Sequence, residues 1–274
     1  MNWHRLFRLA AWKGVLLLSM LLLTVGCGTM SNGRTWGQDA TVRPGWDRVR
    51  KSAVRAALDP QTWGPLMAAA LLQVDDADHR ISDWAVDHTP IFDSQEDAED
   101  ARHWTGTALD ATFYVSLAAT PSGDEPGTWI ANKVRGGMVE FAGLGLANAW
   151  VDPLKEMAGR KRPNGENDKS FPSSHATRSA IDVTLAVRNI DAMELPDPAR
   201  VGLKTGVYSL GAVSAWSRVE AAGHYPSDVL AGWALGYFWT ALVHDAFLYG
   251  EDPPFTVQIL PEPDGVQGRL VWSF

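Results

Sequence analysis

Three short segments of this sequence hold the polar residues best suited to chemistry. They contribute Lys155, Arg162 and Pro163, then Pro172, Ser173, Ser174 and His175, then Ser217, Arg218, His224 and Asp228. Together, three cations and several neutral donors would surround an anion, and two histidines would flank it. Phosphoryl transfer needs such parts, namely positive charge for the equatorial oxygens, a nucleophile, and an acid for the leaving group. The set therefore predicts phosphoryl chemistry in which cations take the place of a metal.

Each segment taken alone also has an ordinary structural explanation. Lys155 and Arg162 would suit the dipole at the C-terminal end of a helix. Ser173 before a helix is an expected N-cap, although free amides at a helix start also bind anions. His224 and Asp228 would form a structural pair in which the carboxylate fixes the histidine tautomer. The chemical interpretation therefore depends on the three segments occurring together.

The spacing of these residues resembles that of the type 2 phosphatidic acid phosphatase and vanadium haloperoxidase superfamily, which also includes bacterial non-specific acid phosphatases. The family pattern is Lys-x6-Arg-Pro, then Pro-Ser-Gly-His, then Ser-Arg-x5-His-x3-Asp. This sequence matches the three elements in order between Lys155 and Asp228. It departs at Ser174, where the pattern has Gly. A serine supplies the same backbone amide, provided that its φ is negative.

The resemblance implies a role for each residue. His224 would attack phosphorus and form a phosphohistidine, Asp228 would accept a hydrogen bond from its other ring nitrogen, and His175 would act as the general acid and base. The phosphate-binding residues would be Lys155, Arg162, Ser173, Ser174 and Arg218. No metal and no other cofactor is expected, and vanadate enters only if the chain is a haloperoxidase. Glu220, between Arg218 and His224, is a weaker candidate for a supporting contact.

The leading functional hypothesis is a phosphatase acting on a lipid phosphate, of the phosphatidate, phosphatidylglycerol phosphate, polyprenyl diphosphate or lipid A class. A soluble phosphomonoester is also compatible with the resemblance. The alternatives are a vanadium-dependent haloperoxidase and a non-catalytic envelope lipoprotein. The net charge of −8 gives no indication of nucleic-acid binding.

The amino-terminal segment predicts export and attachment to a lipid. Positive residues precede an apolar run from Val15 to Val25, as in a secretory signal. Leu23 to Cys27 resembles a bacterial lipobox, with Thr24 where leucine is usual, so Cys27 is the predicted lipidation site. An uncleaved anchor helix is the alternative. Because Gly28 follows in place of aspartate, the expected location in a bacterial envelope is the periplasmic face of the outer membrane.

Apolar periodicity predicts an all-α bundle of about six or seven helices with a small C-terminal β-hairpin. The helical segments are 47–58, 60–74, 105–119, 137–151, 176–189, 204–216 and 227–246. Residues 75–102 are acidic and are expected to form a loop with short helices, with solvated His79, His88 and His103. After the signal, no segment reaches the ~20 apolar residues of a membrane span, and the mean hydropathy is −0.13.

The expected organisation has four parts. They are a signal peptide at 1–26, a flexible tether at 27–45, a helical phosphatase domain at 46–250 and a C-terminal extension at 251–274. Residues 255–260 and 268–274 alternate in polarity around a Pro-Asp-Gly turn, which predicts the hairpin. Because a two-stranded hairpin is marginal alone, it is expected to pack on the helices. Specificity for the head group is expected from loops at 75–104 and 120–135.

Overall fold

A computed structural model describes residues 26–248, 255–262 and 265–272 of the chain. Its helices are α1 (Trp46–Leu58), α2 (Pro60–Leu71), α3 (Ala77–His88), α4 (Gln95–Ala119), α5 (Pro126–Ala149), α6 (Val151–Ala158), α7 (Ser174–Ala192), α8 (Asp197–Glu220) and α9 (Pro226–Phe247). The strands are β1 (Phe255–Glu262) and β2 (Gly265–Trp272). The helical fold class predicted from the sequence is confirmed.

Helices α7 and α9 form the centre of the bundle. Helix α9 packs against α7, α2, α5 and α1, and α7 also contacts α8 and α4. Two glycines of α9 allow the close approach to α7, because a Cβ at Gly232 would lie 2.5 Å from the Ser173 carbonyl oxygen and one at Gly236 would lie 2.4 Å from that of Thr177. This contact brings the first turns of α7 and α9 together, and with them the second and third sequence motifs.

The bundle has two distinct ends. At the motif end, where α7 and α9 begin, the Ser173 amide donates to the Asp228 carbonyl oxygen at 3.0 Å. At the tether end, where α9 finishes, the Thr41 amide donates to the Phe247 carbonyl oxygen at 2.9 Å. Residue Gly26 also lies at the tether end, because its carbonyl oxygen accepts from the Trp129 indole at 2.8 Å near the start of α5.

The acidic region at 75–102 is more helical than the sequence predicted. Helix α3 was hidden because the residues it buries include Asp78 and Ser82 beside Ala85, so its inner face lacks an apolar period. Helix α4 begins ten residues before the predicted start at 105. Ser94 caps it by accepting from the Asp97 amide at 3.1 Å, and a serine followed by acidic residues is a start signal that the apolar pattern concealed.

The segment at 27–45, predicted as a flexible tether, lies against the bundle. The Trp36 side chain is fully buried, and its amide donates to the Pro121 carbonyl oxygen at 2.7 Å. The indole fills the space beside Gly136, where a Cβ would lie 2.3 Å from the ring. Polar composition predicted a tether, but the buried Trp36 side chain and the backbone contacts of Trp36 and Thr41 hold this segment against the bundle.

Replacing Trp36 by alanine is expected to lower the free energy of unfolding by about 3–5 kcal/mol, because it removes a fully buried indole and leaves a cavity. Trp46 is the matched control, since its side chain is 79% exposed, and Trp46→Ala should change stability by less than about 0.5 kcal/mol. Urea denaturation followed by circular dichroism measures both. Similar losses in the two variants would contradict the buried position of Trp36.

The remaining sequence predictions concern the two ends of the chain and the possibility of a membrane-spanning helix. Strands β1 and β2 pair antiparallel, with Phe255 opposite Trp272 and Glu262 opposite Gly265. The apolar run of the predicted signal peptide, within residues 1–25, lies outside the described residues. Across the part of the chain that the structure describes, none of the helices has the length and apolar character needed to cross a membrane.

Candidate active site

The first motif lies on α6 and the loop that follows it. Lys155 occupies the last turn of α6, which ends at Gly159 with a φ of 54°, a conformation that favours glycine. The loop then returns towards α7. The Lys155 ammonium is buried and donates to the Lys169 carbonyl oxygen at 3.0 Å. Its pKa is lowered, first by burial and then by the positive charge of Arg162.

His224 lies buried in the turn between α8 and α9. Its Nδ1 is 2.7 Å from the Ser170 carbonyl oxygen, so Nδ1 carries the proton and Nε2 keeps its lone pair. The pKa of His224 is lowered to about 2 by burial and by the charges of Arg162, Arg218 and Lys155. The imidazole is therefore neutral near pH 7, and the three predicted phosphate-binding cations act on it together.

The position of Asp228 differs from the predicted one. Its Oδ2 is 4.0 Å from His224 Nδ1, too far for a hydrogen bond. Asp228 instead caps α9, accepting from the Tyr225 amide at 2.9 Å, and accepts from the Ser170 hydroxyl at 2.5 Å. Because the Ser170 carbonyl oxygen is the partner of His224, Asp228 reaches the histidine through Ser170. Burial raises the pKa of Asp228 against the opposing effects of Ser170 and Arg160.

Arg160 connects the first motif to the third. Its guanidinium donates to Asp228 Oδ1 and to Asp78 Oδ2, both at 2.7 Å, and lies 4.2 Å from the centre of the Tyr225 ring. Asp78 is buried and also accepts from the Ser227 amide at 2.9 Å. Sequence reasoning assigned no role to Arg160 or Asp78. The sequence shows Arg160 two residues before Arg162, but it does not show that Asp78 of α3 is the partner of Arg160.

The second motif forms the start of α7. Ser173 is the N-cap, and its hydroxyl accepts from the Ala176 amide at 3.4 Å. Ser174 is the first residue of the helix and has helical backbone geometry, so its amide is oriented as that of a glycine would be. Both structural and anion-binding functions predicted for this segment are therefore compatible with its geometry.

His175 meets two residues of α4 that sequence reasoning missed. Its Nε2 is 2.8 Å from Nη1 of Arg102, and Arg102 Nη2 is 2.5 Å from Glu99 Oε1. The second oxygen of Glu99 binds Nη1 of Arg218. Partial burial, together with the charges of Arg218 and Arg102, lowers the pKa of His175 to about 4.

Glu99 places an anion between two arginines of the site. Burial alone would raise the pKa of its carboxyl group, but the contacts with Arg218 and Arg102 outweigh burial and lower it. The carboxylate therefore lies where Arg218 can bind an anion. A phosphate bound to Arg218 would compete with Glu99 for the same guanidinium.

The remaining candidates lie at the edge of the site. Glu220 is buried, and its two oxygens accept from the amides of Ile91 at 3.1 Å and Phe92 at 3.0 Å, which fastens the segment before α4 to α8. His79 and His88 are exposed on α3, whereas His103 contacts Arg102. Within the described ranges, no group of acidic, histidine or cysteine side chains has the arrangement of a metal site. Cys27 is exposed.

Comparison with known proteins agrees with this arrangement. A family model described as the PAP2 superfamily matches residues 137–251, which include all three motifs. The fold is similar to the crystal structure of a transmembrane PAP2-type phosphatidylglycerolphosphate phosphatase from Bacillus subtilis, with a TM-score of 0.51, 23% sequence identity, and coverage of 70% of this chain and 94% of that one. A search of curated proteins finds no match. The chain is therefore similar to the PAP2 superfamily in sequence through residues 137–251, and its bundle is similar in fold to that phosphatase.

Proposed function

We propose that this chain is a phosphatase that hydrolyses a phosphate monoester or diphosphate of a lipid, without a metal, through a phosphohistidine on His224. The observation that carries the proposal is the state of His224. Its ring is buried and neutral, its Nδ1 is held by the Ser170 carbonyl oxygen, and three cations act on it. A neutral imidazole beside fixed positive charge suits attack on a phosphate, because the phosphate oxygens are stabilised as the P–N bond forms.

The proposed reaction has two steps. In the first, Nε2 of His224 bonds to phosphorus while the P–O bond to the alcohol breaks, and His175 gives its proton to the departing oxygen. In the second, water attacks phosphorus, His175 takes a proton from it, and the P–N bond breaks to release inorganic phosphate. Lys155, Arg162 and Arg218 bind the phosphoryl oxygens in both steps, together with Ser173 and the Ser174 amide.

His175 must carry a proton to act as the acid in the first step. Partial burial and the neighbouring arginines lower its pKa to about 4. A bound phosphate adds negative charge near the same arginines, which favours the protonated imidazole. Binding of the substrate therefore helps to charge the residue that protonates the leaving group.

A lipid substrate is supported by the match to the PAP2 superfamily and by the name of the structural relative, which acts on phosphatidylglycerolphosphate. The same proposal places the chain at a membrane of the bacterial envelope, on the periplasmic face of the outer membrane. Its attachment there would be through a lipid on Cys27, which is exposed. Mass spectrometry of Cys27 in protein purified from membranes tests the attachment directly.

Hydrolysis of p-nitrophenyl phosphate and of a panel of phospholipid phosphates tests the function. We expect turnover that EDTA leaves unchanged and vanadate inhibits, with higher kcat/KM for a lipid phosphate. Halide oxidation appearing only after vanadate loading would replace the proposal with a haloperoxidase. Absence of both activities in folded protein would favour a non-catalytic envelope protein, and loss of activity in EDTA would exclude the metal-free mechanism.

The pH dependence of kcat/KM should depend on Arg102. Removing its positive charge in Arg102→Gln raises the pKa of His175, because the protonated imidazole is no longer repelled. The alkaline limb of the profile should therefore move to higher pH in this variant. Arg102→Lys is the control, since it keeps the charge and should leave the limb near its original position. Comparing variants on one substrate cancels the ionisation of the substrate itself.

A further inference from the structure

Helices α1 and α2 present a surface that the phosphatase site does not use. The exposed side chains of α2 are apolar along one face, and they include Trp63, Leu66, Met67 and Leu71. Their spacing of three and four residues makes a continuous stripe on the outside of the helix. No charged residue occurs from 60 to 74, so no charged side chain interrupts the apolar stripe.

Helix α1 adds positive charge beside this stripe. Its exposed face carries Arg50 and Lys51 together with the apolar Trp46, Val54 and Leu58. Asp47 is the single acidic residue of the helix. In a chain with a net charge of −8, this is a local reversal of sign. Basic and apolar side chains mixed on one helix face are typical of a helix that lies on an anionic membrane surface.

The path of α1 and α2 connects the two ends of the bundle. The chain enters α1 just after Thr41, which contacts the end of α9 at Phe247. It leaves α2 towards α3, where Asp78 binds Arg160 in the site. Both helices pack on α9 along this path. A flat surface that touches α1 and α2 would therefore extend from the tether end to the motif end.

We propose that the α1–α2 face docks on a lipid bilayer that contains anionic phospholipids. The apolar stripe of α2 enters the interface, and the cations of α1 bind the head groups. This inference rests on the proposed lipid substrate, because docking in this orientation holds the site beside the bilayer that contains it. Trp63 and Trp46 suit the interface, where aromatic side chains are favoured.

Contact with lipid can be measured without any turnover. The full chain carrying Cys27→Ser is labelled with an environment-sensitive fluorophore at Met67→Cys, and it is bound to vesicles of phosphatidylglycerol and phosphatidylethanolamine containing brominated lipid. Met138 on α5 is the matched control, because the two methionines are 56% and 63% exposed. We expect strong quenching at position 67 and little at position 138.

Three results would overturn the proposal. One is a water-like emission at position 67 that brominated lipid does not quench. Another is equal quenching at both positions, which would show that docking is not specific to the α1–α2 face. The third is an apolar emission at position 67 without quenching, which would show that another segment of the chain covers the stripe.

The charge on α1 is tested by kinetics. In the double variant Arg50→Glu and Lys51→Glu, the KM for a lipid phosphate in anionic vesicles should rise about tenfold or more, because each cation near such a surface contributes to binding. Activity on p-nitrophenyl phosphate should not change. Arg135→Glu, on the exposed surface of α5, is the control and should leave both activities unchanged. An unchanged KM in the double variant would contradict the role of these cations.

The two proposals fail in different ways. Quenching at position 67 in a protein without phosphatase activity would refute the proposed function and leave docking in place. Full activity on lipid phosphates without quenching would refute docking and leave the function in place.

Discussion

Replacing His224 by asparagine is expected to lower kcat by roughly 10⁴-fold or more, because the variant lacks the proposed nucleophile and cannot form the proposed phosphohistidine. The amide is close in size to the imidazole and is able to keep a donor near the Ser170 carbonyl oxygen, so the fold should remain intact. Quenching the wild-type enzyme during turnover with alkaline detergent should trap an alkali-stable phosphoenzyme that is lost on later treatment with acid. The His224→Asn variant should form none.

His88 provides the control for this experiment. It is exposed on α3, and its Nδ1 bonds only to the backbone of its own helix, at Trp84. His88→Asn should therefore retain full activity and full phosphoenzyme. A phosphoenzyme that persists in His224→Asn would assign the covalent step to another residue, and His175 would be examined next.

The candidate site is more visible in the sequence than the residues that support it. Spacing and the family resemblance singled out Lys155, Arg162, Arg218 and the two histidines, and the structure brings the charges of the three cations to bear on His224. The bonds of the supporting residues are not local. Arg160 meets Asp78 across 82 positions of the chain, and Arg102 meets His175 across 73. Only the packing of α3 and α4 on the core reveals these partners.

Asp228 illustrates the limit of an argument from spacing. It follows His224 by four positions, a spacing that predicted a direct hydrogen bond. The N-terminal turn of α9 decides otherwise, because Asp228 occupies the position that caps the Tyr225 amide. The carboxylate is thereby turned towards Ser170, whose backbone oxygen takes over the contact with the histidine.

In the fold too, helices with apolar inner faces were easier to predict than a helix that buries polar residues. Helices with apolar inner faces, such as α7 and α9, were located within a few residues. Helix α3 was missed because it buries Asp78 and Ser82, and these residues have a buried role only once Arg160 and Ser227 are placed against them. Trp36 was likewise invisible in a polar segment, because one aromatic residue gives no period.

The contrast between Arg160 and Arg162 separates structural support from phosphate binding. Arg160→Met removes the cation shared by two buried carboxylates, Asp78 and Asp228, and should lower the free energy of unfolding by about 3–5 kcal/mol. Arg162 is half-buried, and its guanidinium bonds to the side chain of Asn167 at 3.1 Å. Arg162→Met should therefore cost less than about 1 kcal/mol of stability.

Measurements of turnover should also distinguish Arg162 from Arg160. Arg162→Met removes a cation of the proposed phosphate site and should lower kcat by about 10²–10³-fold in a fully folded protein. The stability lost in Arg160→Met should be partly restored when Asp78→Asn is added, because a neutral amide no longer needs the cation. Urea denaturation and p-nitrophenyl phosphate turnover measure both effects. If Arg162→Met lost as much stability as Arg160→Met, or the added Asp78→Asn restored nothing, the bridging role of Arg160 would be refuted. We expect neither outcome, because both carboxylate partners of Arg160 are buried. Leaving a buried charge without its counter-ion strongly lowers the free energy of unfolding.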